Sequence, residues 1–203
     1  MRRKLNARLG WVFAVLLATA ATALASGDGK PWSRAYRSEL YAIVQVLGGD
    51  KVTALHDHGE VTIDTTPVYG AGMGLNINDH VNVNTEIMLG SMDVEEYSPY
   101  WMNGPITHDN DSVYLWNLNL DINLLKGRLT PVLTGGVGVL GYNGEDRLHE
   151  VHFANNFGAG VRWDVTDRLA LRVLYRRTWW EIENGDQPFE FDGVAASLIF
   201  MFK

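Results

Sequence analysis

Three short runs place imidazole beside carboxylate: His56-Asp57-His58, His108-Asp109-Asn110-Asp111 and His149-Glu150-Val151-His152. Such groups can hold a divalent ion, with imidazole suiting zinc, copper or nickel and carboxylate alone suiting calcium. Their spacings match no strong ligand motif, so the simpler reading is a hydrated acidic surface. A second set, Glu39, Glu86, Asp121, Arg162, Asp164, Arg172 and Arg176, is scattered along the chain but falls on the polar side of alternating segments. Buried together, these residues would have to neutralise one another. A third set is Arg177, Trp179 and Trp180, a phosphate-binding fork beside two indoles suited to a membrane boundary. The chain has no Cys, which removes thiolate metal sites, disulfides and a cysteine nucleophile. Neither His-x-Ser nor G-x-S-x-G occurs, so no catalytic residue is assigned and no enzyme activity is expected. No cofactor is expected. The net charge of −7 argues against nucleic acid as a partner.

The elements that must position these residues follow from periodicity. Met1–Ala25 is a basic start, an apolar stretch and Ala23-Leu24-Ala25, which reads as a cleaved signal peptide. It holds four of the 17 basic residues and no acidic one, leaving 13 basic against 24 acidic. The protein is therefore expected to leave the cytoplasm. A short segment, 26–33, leads into the remainder, 34–203. There, apolar and polar residues alternate in eight stretches. The clearest is 114–124, where Tyr114, Trp116, Leu118, Leu120, Ile122 and Leu124 interleave with Asn117, Asn119, Asp121 and Asn123. Connections at 78–80, 125–128 and 166–168 are short. Those at 48–67, 91–112, 143–152 and 182–191 are longer and polar. In or bordering the longer ones lie 17 of the 24 acidic residues, opposed by only Lys51 and Arg147. Short turns at one end and long loops at the other predict an all-β, up-and-down antiparallel meander of eight strands.

The inside of such a barrel can be chosen by volume. Eight strands enclose a space just wide enough for side chains. Gly, Asn and paired charges fit there, while Trp, Leu, Val and Phe crowd it and suit hydrocarbon. Strands of about ten residues match a tilted bilayer crossing, and only a closed sheet leaves no bare edge in lipid. The prediction is a transmembrane barrel, apolar outside, with the charged set above in its lumen. A salt-bridged plug is favoured over an open bore.

The stretch from Phe157 to Arg176, FGAGVRWDVTDRLALRVLYR, resembles the sixth strand, tight turn and seventh strand of small eight-stranded outer-membrane barrels. These comprise the transmembrane domain of outer membrane protein A and the opacity-type surface antigens. The ending Phe200-Met201-Phe202-Lys203 is similar to their terminal assembly signal, with Lys replacing the last aromatic. The resemblance covers 34–203. It implies a Gram-negative outer membrane reached through the periplasm, lipid and lipopolysaccharide as neighbours, and the barrel assembly machinery as a partner during biogenesis. In that setting Arg177, Trp179 and Trp180 would meet lipopolysaccharide, and His56, His58, His108, His149 and His152 would sit with divalent cations in outer loops. The expected role is structural and surface-interacting. A narrow conduit for small or hydrophobic solutes is the alternative, and a lipid A-modifying enzyme is a third reading.

Overall fold

The computed structural model describes residues 33–48, 51–54, 59–63, 65–97, 106–143, 150–180 and 189–203. The expected signal peptide and nearly all of 26–33 lie outside them. The strands are β1 (Ser38–Leu47), β2 (Lys51–Ala54), β3 (Gly59–Ile63), β4 (Thr66–Asn76), β5 (Val81–Tyr97), β6 (Ile106–Asn123), β7 (Leu129–Asn143), β8 (Glu150–Asp164), β9 (Leu169–Trp180) and β10 (Phe189–Phe202). Eight of them, all but β2 and β3, form a ring in which every neighbour is antiparallel. The ring closes where β1 meets β10, from Ser38 opposite Phe202 to Leu47 opposite Gly193. Closure pairs the edge groups that hydrocarbon could not solvate.

The short connections form because their side chains cap the backbone. Asn78 Oδ1 accepts from the N–H groups of His80 and Val81 at 2.7 and 2.9 Å. Thr166 Oγ1 accepts from Arg168 and Leu169 at 3.2 and 3.0 Å. These are turns in which a side-chain oxygen replaces a backbone acceptor. At the other end the structure corrects the expected loops. The region 91–112 is mostly strand, since β5 continues to Tyr97 and β6 starts at Ile106. The region 48–67 contains the β2–β3 hairpin, and β3 pairs with the tip of β5 from Glu60–Tyr97 to Ile63–Val94. Polar residues erase the alternation of the sequence there, yet a strand outside hydrocarbon needs no greasy face.

Within the membrane-spanning part the alternation decides the faces. Met73, Ile87, Leu89 and Phe200 are more than half exposed, while Asn82, Glu86, Asn119 and Arg172 are buried. A β-strand sends successive side chains to opposite faces, so each strand contributes one lipid-facing and one lumen-facing row. Glycines on the lumen side make room for larger neighbours. A Cβ at Gly72 on β4 would run into the Tyr41 ring and lie 2.6 Å from the Thr85 carbonyl oxygen. Gly72→Val is therefore expected to destabilise the barrel by about 1–3 kcal/mol, the usual cost of overpacking. The check is urea unfolding of the refolded protein in detergent, followed by heat-modifiable gel mobility.

Candidate functional site

The barrel interior is built in three zones along its axis. At the short-turn end, Arg34 turns inward just before β1 and is buried. Its Nε lies 2.5 Å from Asp164, its Nη1 donates to the Asp79 carbonyl at 3.2 Å, and its Nη2 donates to the Gly127 carbonyl. One guanidinium thus ties two of the short turns to the end of β8. Asp79 fastens the same segment from outside, accepting from Ser33 Oγ at 2.7 Å and from the N–H groups of Arg34 and Ala35 at 2.8 and 3.3 Å. Partial burial pushes the Asp79 carboxyl up, but these hydrogen bonds outweigh it and hold the group below the ordinary carboxylate range.

In the middle zone, Arg162 and Arg172 are directly opposite each other on β8 and β9. Like charges so placed repel unless carboxylates intervene. Arg162 reaches Glu39 at 2.6 Å and Asp164 at 2.9 Å. Arg172 pairs with Asp121, and its guanidinium lies 4.9 Å from the centre of the Tyr41 ring. Arg176, two inward positions farther along β9, pairs with Glu86. With Arg34 included, four buried arginines face four buried carboxylates among the described residues, so their charges cancel.

Asparagines join these pairs. Asn156 Nδ2 on β8 donates to Asn119 Oδ1 at 3.0 Å and Asn117 Oδ1 at 3.3 Å, both on β6. The intervening β7 presents Gly136 and Gly138, where a Cβ would collide with Asn119 and Asn117. Asn117 Nδ2 continues to Glu86 at 3.3 Å, and Asn119 Nδ2 to Asn84 Oδ1 at 3.3 Å. Tyr41 Oη donates to Asn84 Oδ1 at 2.9 Å.

The third zone corrects the expectation of a wholly polar lumen. Toward the outer strand ends, most inward positions are apolar, with Thr66 and Thr178 interspersed. Met88, Leu115 and Leu140 are successive cross-strand partners on β5, β6 and β7, and all are buried. Val68, Leu47, Phe191 and Trp180 are buried at the same end of their strands, with the Trp180 and Phe191 rings 5.0 Å apart. These inward residues were hidden in sequence because hydrophobic-in and hydrophobic-out neighbours break the alternation.

All seven residues of the inward charged set lie in the lumen. Arg34, Tyr41 and Gln45 are the members that sequence reasoning missed, whereas the asparagines fall on the inward face where the alternation put them. Parity along β1 was the available signal for Tyr41 and Gln45. The outer set divides. Arg177 is outward, but its fork is held by Asp192 at 2.7 and 2.9 Å and by Glu190 at 3.3 Å. Trp179 faces outward as expected of a boundary residue. Trp180 does not: it is 4% exposed and points inward. Period two permits only one of two consecutive residues to face lipid. His56, His58 and His149 lie outside the described residues, and only the backbone of His108 is described, in β6. His152 sits in β8 with its ring 6.5 Å from that of Trp180. Among the described residues no three metal-ligating side chains converge.

The family model described as "Outer membrane protein beta-barrel domain" matches residues 11–202. No curated protein matches the sequence. Among solved structures, Neisserial surface protein A is 11% identical with a TM-score of 0.57, over 84% of this chain and 99% of that one. OprG from Pseudomonas aeruginosa is 11% identical with a TM-score of 0.55, over 83% and 96%. The N-terminal β-barrel domain of Pseudomonas aeruginosa OprF is 12% identical with a TM-score of 0.51, over 84% and 100%. At these identities the likeness shows a shared fold.

Two outcomes follow from the interior. Glu86→Gln strands the buried Arg176 and is expected to cost about 3 kcal/mol, while Glu86→Gln with Arg176→Met recovers part of that loss; urea unfolding of the four proteins in a double-mutant cycle measures it. Asp79 has a depressed folded pKa, so its stabilisation is complete above the unfolded value of about 4 and disappears as pH falls through the lower folded value. Asp79→Asn should remove that acid-dependent component, read as a flatter dependence of the unfolding midpoint on pH below about 5.

Proposed function

The chain belongs to the outer-membrane β-barrel family, and on that premise we propose that it is a closed, non-conducting barrel that acts through its outer surface. The strand extensions of β5 and β6 and the β2–β3 hairpin stand beyond the bilayer as an acidic platform. That platform would meet divalent cations, lipopolysaccharide phosphates bridged by them, or cationic partners. The barrel beneath it is the anchor.

One observation carries this reading: the lumen is filled twice over. Ion pairs between Arg162, Arg172, Arg176 and their carboxylates occupy its middle. An apolar layer around Met88, Leu115, Leu140 and Trp180 occupies its outer part. A hydrated ion crossing that layer would lose its water and meet few polar groups beyond the Thr66 and Thr178 hydroxyls. Planar-bilayer recording of the refolded full chain tests the point. The expected result is a trace at the lipid baseline; reproducible unitary steps at moderate voltage would overturn the closed reading and favour transport.

A further inference from the structure

The short-turn rim has a charge and a shape that the closed-lumen reading does not use. Arg37, Lys126, Arg128, Arg168 and Lys203 stand there against Asp79 and Asp167. Both acids are engaged, Asp79 by the N-terminal segment and Asp167 by Arg128 at 2.9 Å. Arg37 also turns toward this place and donates to the Asp167 carbonyl. Arg168 is exposed, and its guanidinium has no partner among the described residues. A shallow groove runs between the β6–β7 and β8–β9 turns, lined by Arg128, Val165, Thr166, Asp167 and Arg168.

Directly above this groove the barrel wall is apolar. Leu129, Trp163 and Leu171 are cross-strand partners on β7, β8 and β9, all facing outward, with Trp163 50% exposed. An indole at the end of a lipid-facing strand marks the headgroup level. The two arginines therefore stand where lipid phosphates lie, at the foot of a surface that acyl chains would cover.

We propose that this groove binds the phosphate of an anionic glycerophospholipid in the periplasmic leaflet, between Arg128 and Arg168, with its acyl chains along Leu129, Trp163 and Leu171. Arginine presents two parallel donors to phosphate oxygens. Arg128 is held by the exposed Asp167 and, through long contacts of 3.5 and 3.4 Å, by the Asp164 and Val165 carbonyls; exposed contacts of this kind are weak enough to exchange for a phosphate. The rim's surplus positive charge repels a headgroup that carries its own ammonium, which selects anionic over zwitterionic lipid. The inference rests on the membrane placement and holds whether or not the lumen conducts.

The test uses the refolded full chain in mixed micelles of equimolar phosphatidylglycerol and phosphatidylethanolamine, with retained lipids counted by native mass spectrometry. Phosphatidylglycerol should be retained preferentially. Arg168→Gln and Arg128→Gln should each reduce that preference about fivefold. Arg168→Gln breaks no contact in the fold, so it remains informative if Arg128→Gln disturbs the turn. Equal retention of the two lipids by the wild type, or an unchanged preference in the double variant, would overturn the proposal. So would displacement of the lipid by millimolar inorganic phosphate alone, since that outcome assigns the groove to a free anion.

Discussion

A sheet in hydrocarbon can leave no backbone N–H or C=O unpaired, and this constraint organises everything else in the molecule. It is satisfied by the β1–β10 seam, where ten consecutive residues of β1 find partners on β10. Once the ring is closed with eight strands, its bore is settled, and so is the volume available to inward side chains. The charged lumen is thus a consequence of closure. Residues too polar for lipid must go inside, and the space inside is small and of low dielectric. Each buried charge then requires a counter-charge within contact distance.

That requirement explains a separation of charge across the barrel. Three of the four buried arginines lie on β8 and β9, while Glu39, Glu86 and Asp121 lie on β1, β5 and β6. Strands that are neighbours would place opposite charges too close to the wall to fill the centre. Placing them on different walls makes the Arg162–Glu39, Arg172–Asp121 and Arg176–Glu86 pairs span the lumen, so the same contacts neutralise charge and fill volume. The glycines serve the same end. Gly136 and Gly138 on β7 leave the gap through which Asn156 on β8 meets Asn117 and Asn119 on β6.

Much of the fold was legible because a bilayer-spanning strand has one greasy and one polar face. The run 114–124 carried its orientation openly, and the turn at 166–168 was marked by Thr166. The legibility ended where the environment changed. Beyond the bilayer, Asp93 and Ser112 need no buried face, so the continuation of β5 and β6 looked like loop. Near the outer mouth, Leu115 beside Trp116 put large apolar groups on both faces, and parity alone could not show a hydrophobic layer inside. Ion-pair partners were equally hidden. Glu39 and Arg162 are 123 residues apart, and only the shear of the closed ring brings them together. Arg34 was overlooked because it precedes β1 and belongs to no alternating run.

The two ends of the molecule differ in how their charge is held. At the short-turn end, acidic groups are consumed by structure: Asp79 by the N-terminal segment, Asp164 by Arg34 and Arg162, Asp167 by Arg128. Basic side chains are left to face the medium. At the outer end the one outward arginine that is described, Arg177, is itself consumed by Asp192 and Glu190, and the acidic residues of the extensions dominate. The internal ion pairs cancel within the lumen and contribute no net charge to either end. The barrel therefore carries an axial polarity, basic at the short-turn end and acidic at the other, set by which partners the fold has already claimed. Because exposed charges act only within about 10 Å at physiological salt, the charge of each end acts on its own surroundings alone. The filled lumen keeps the two independent.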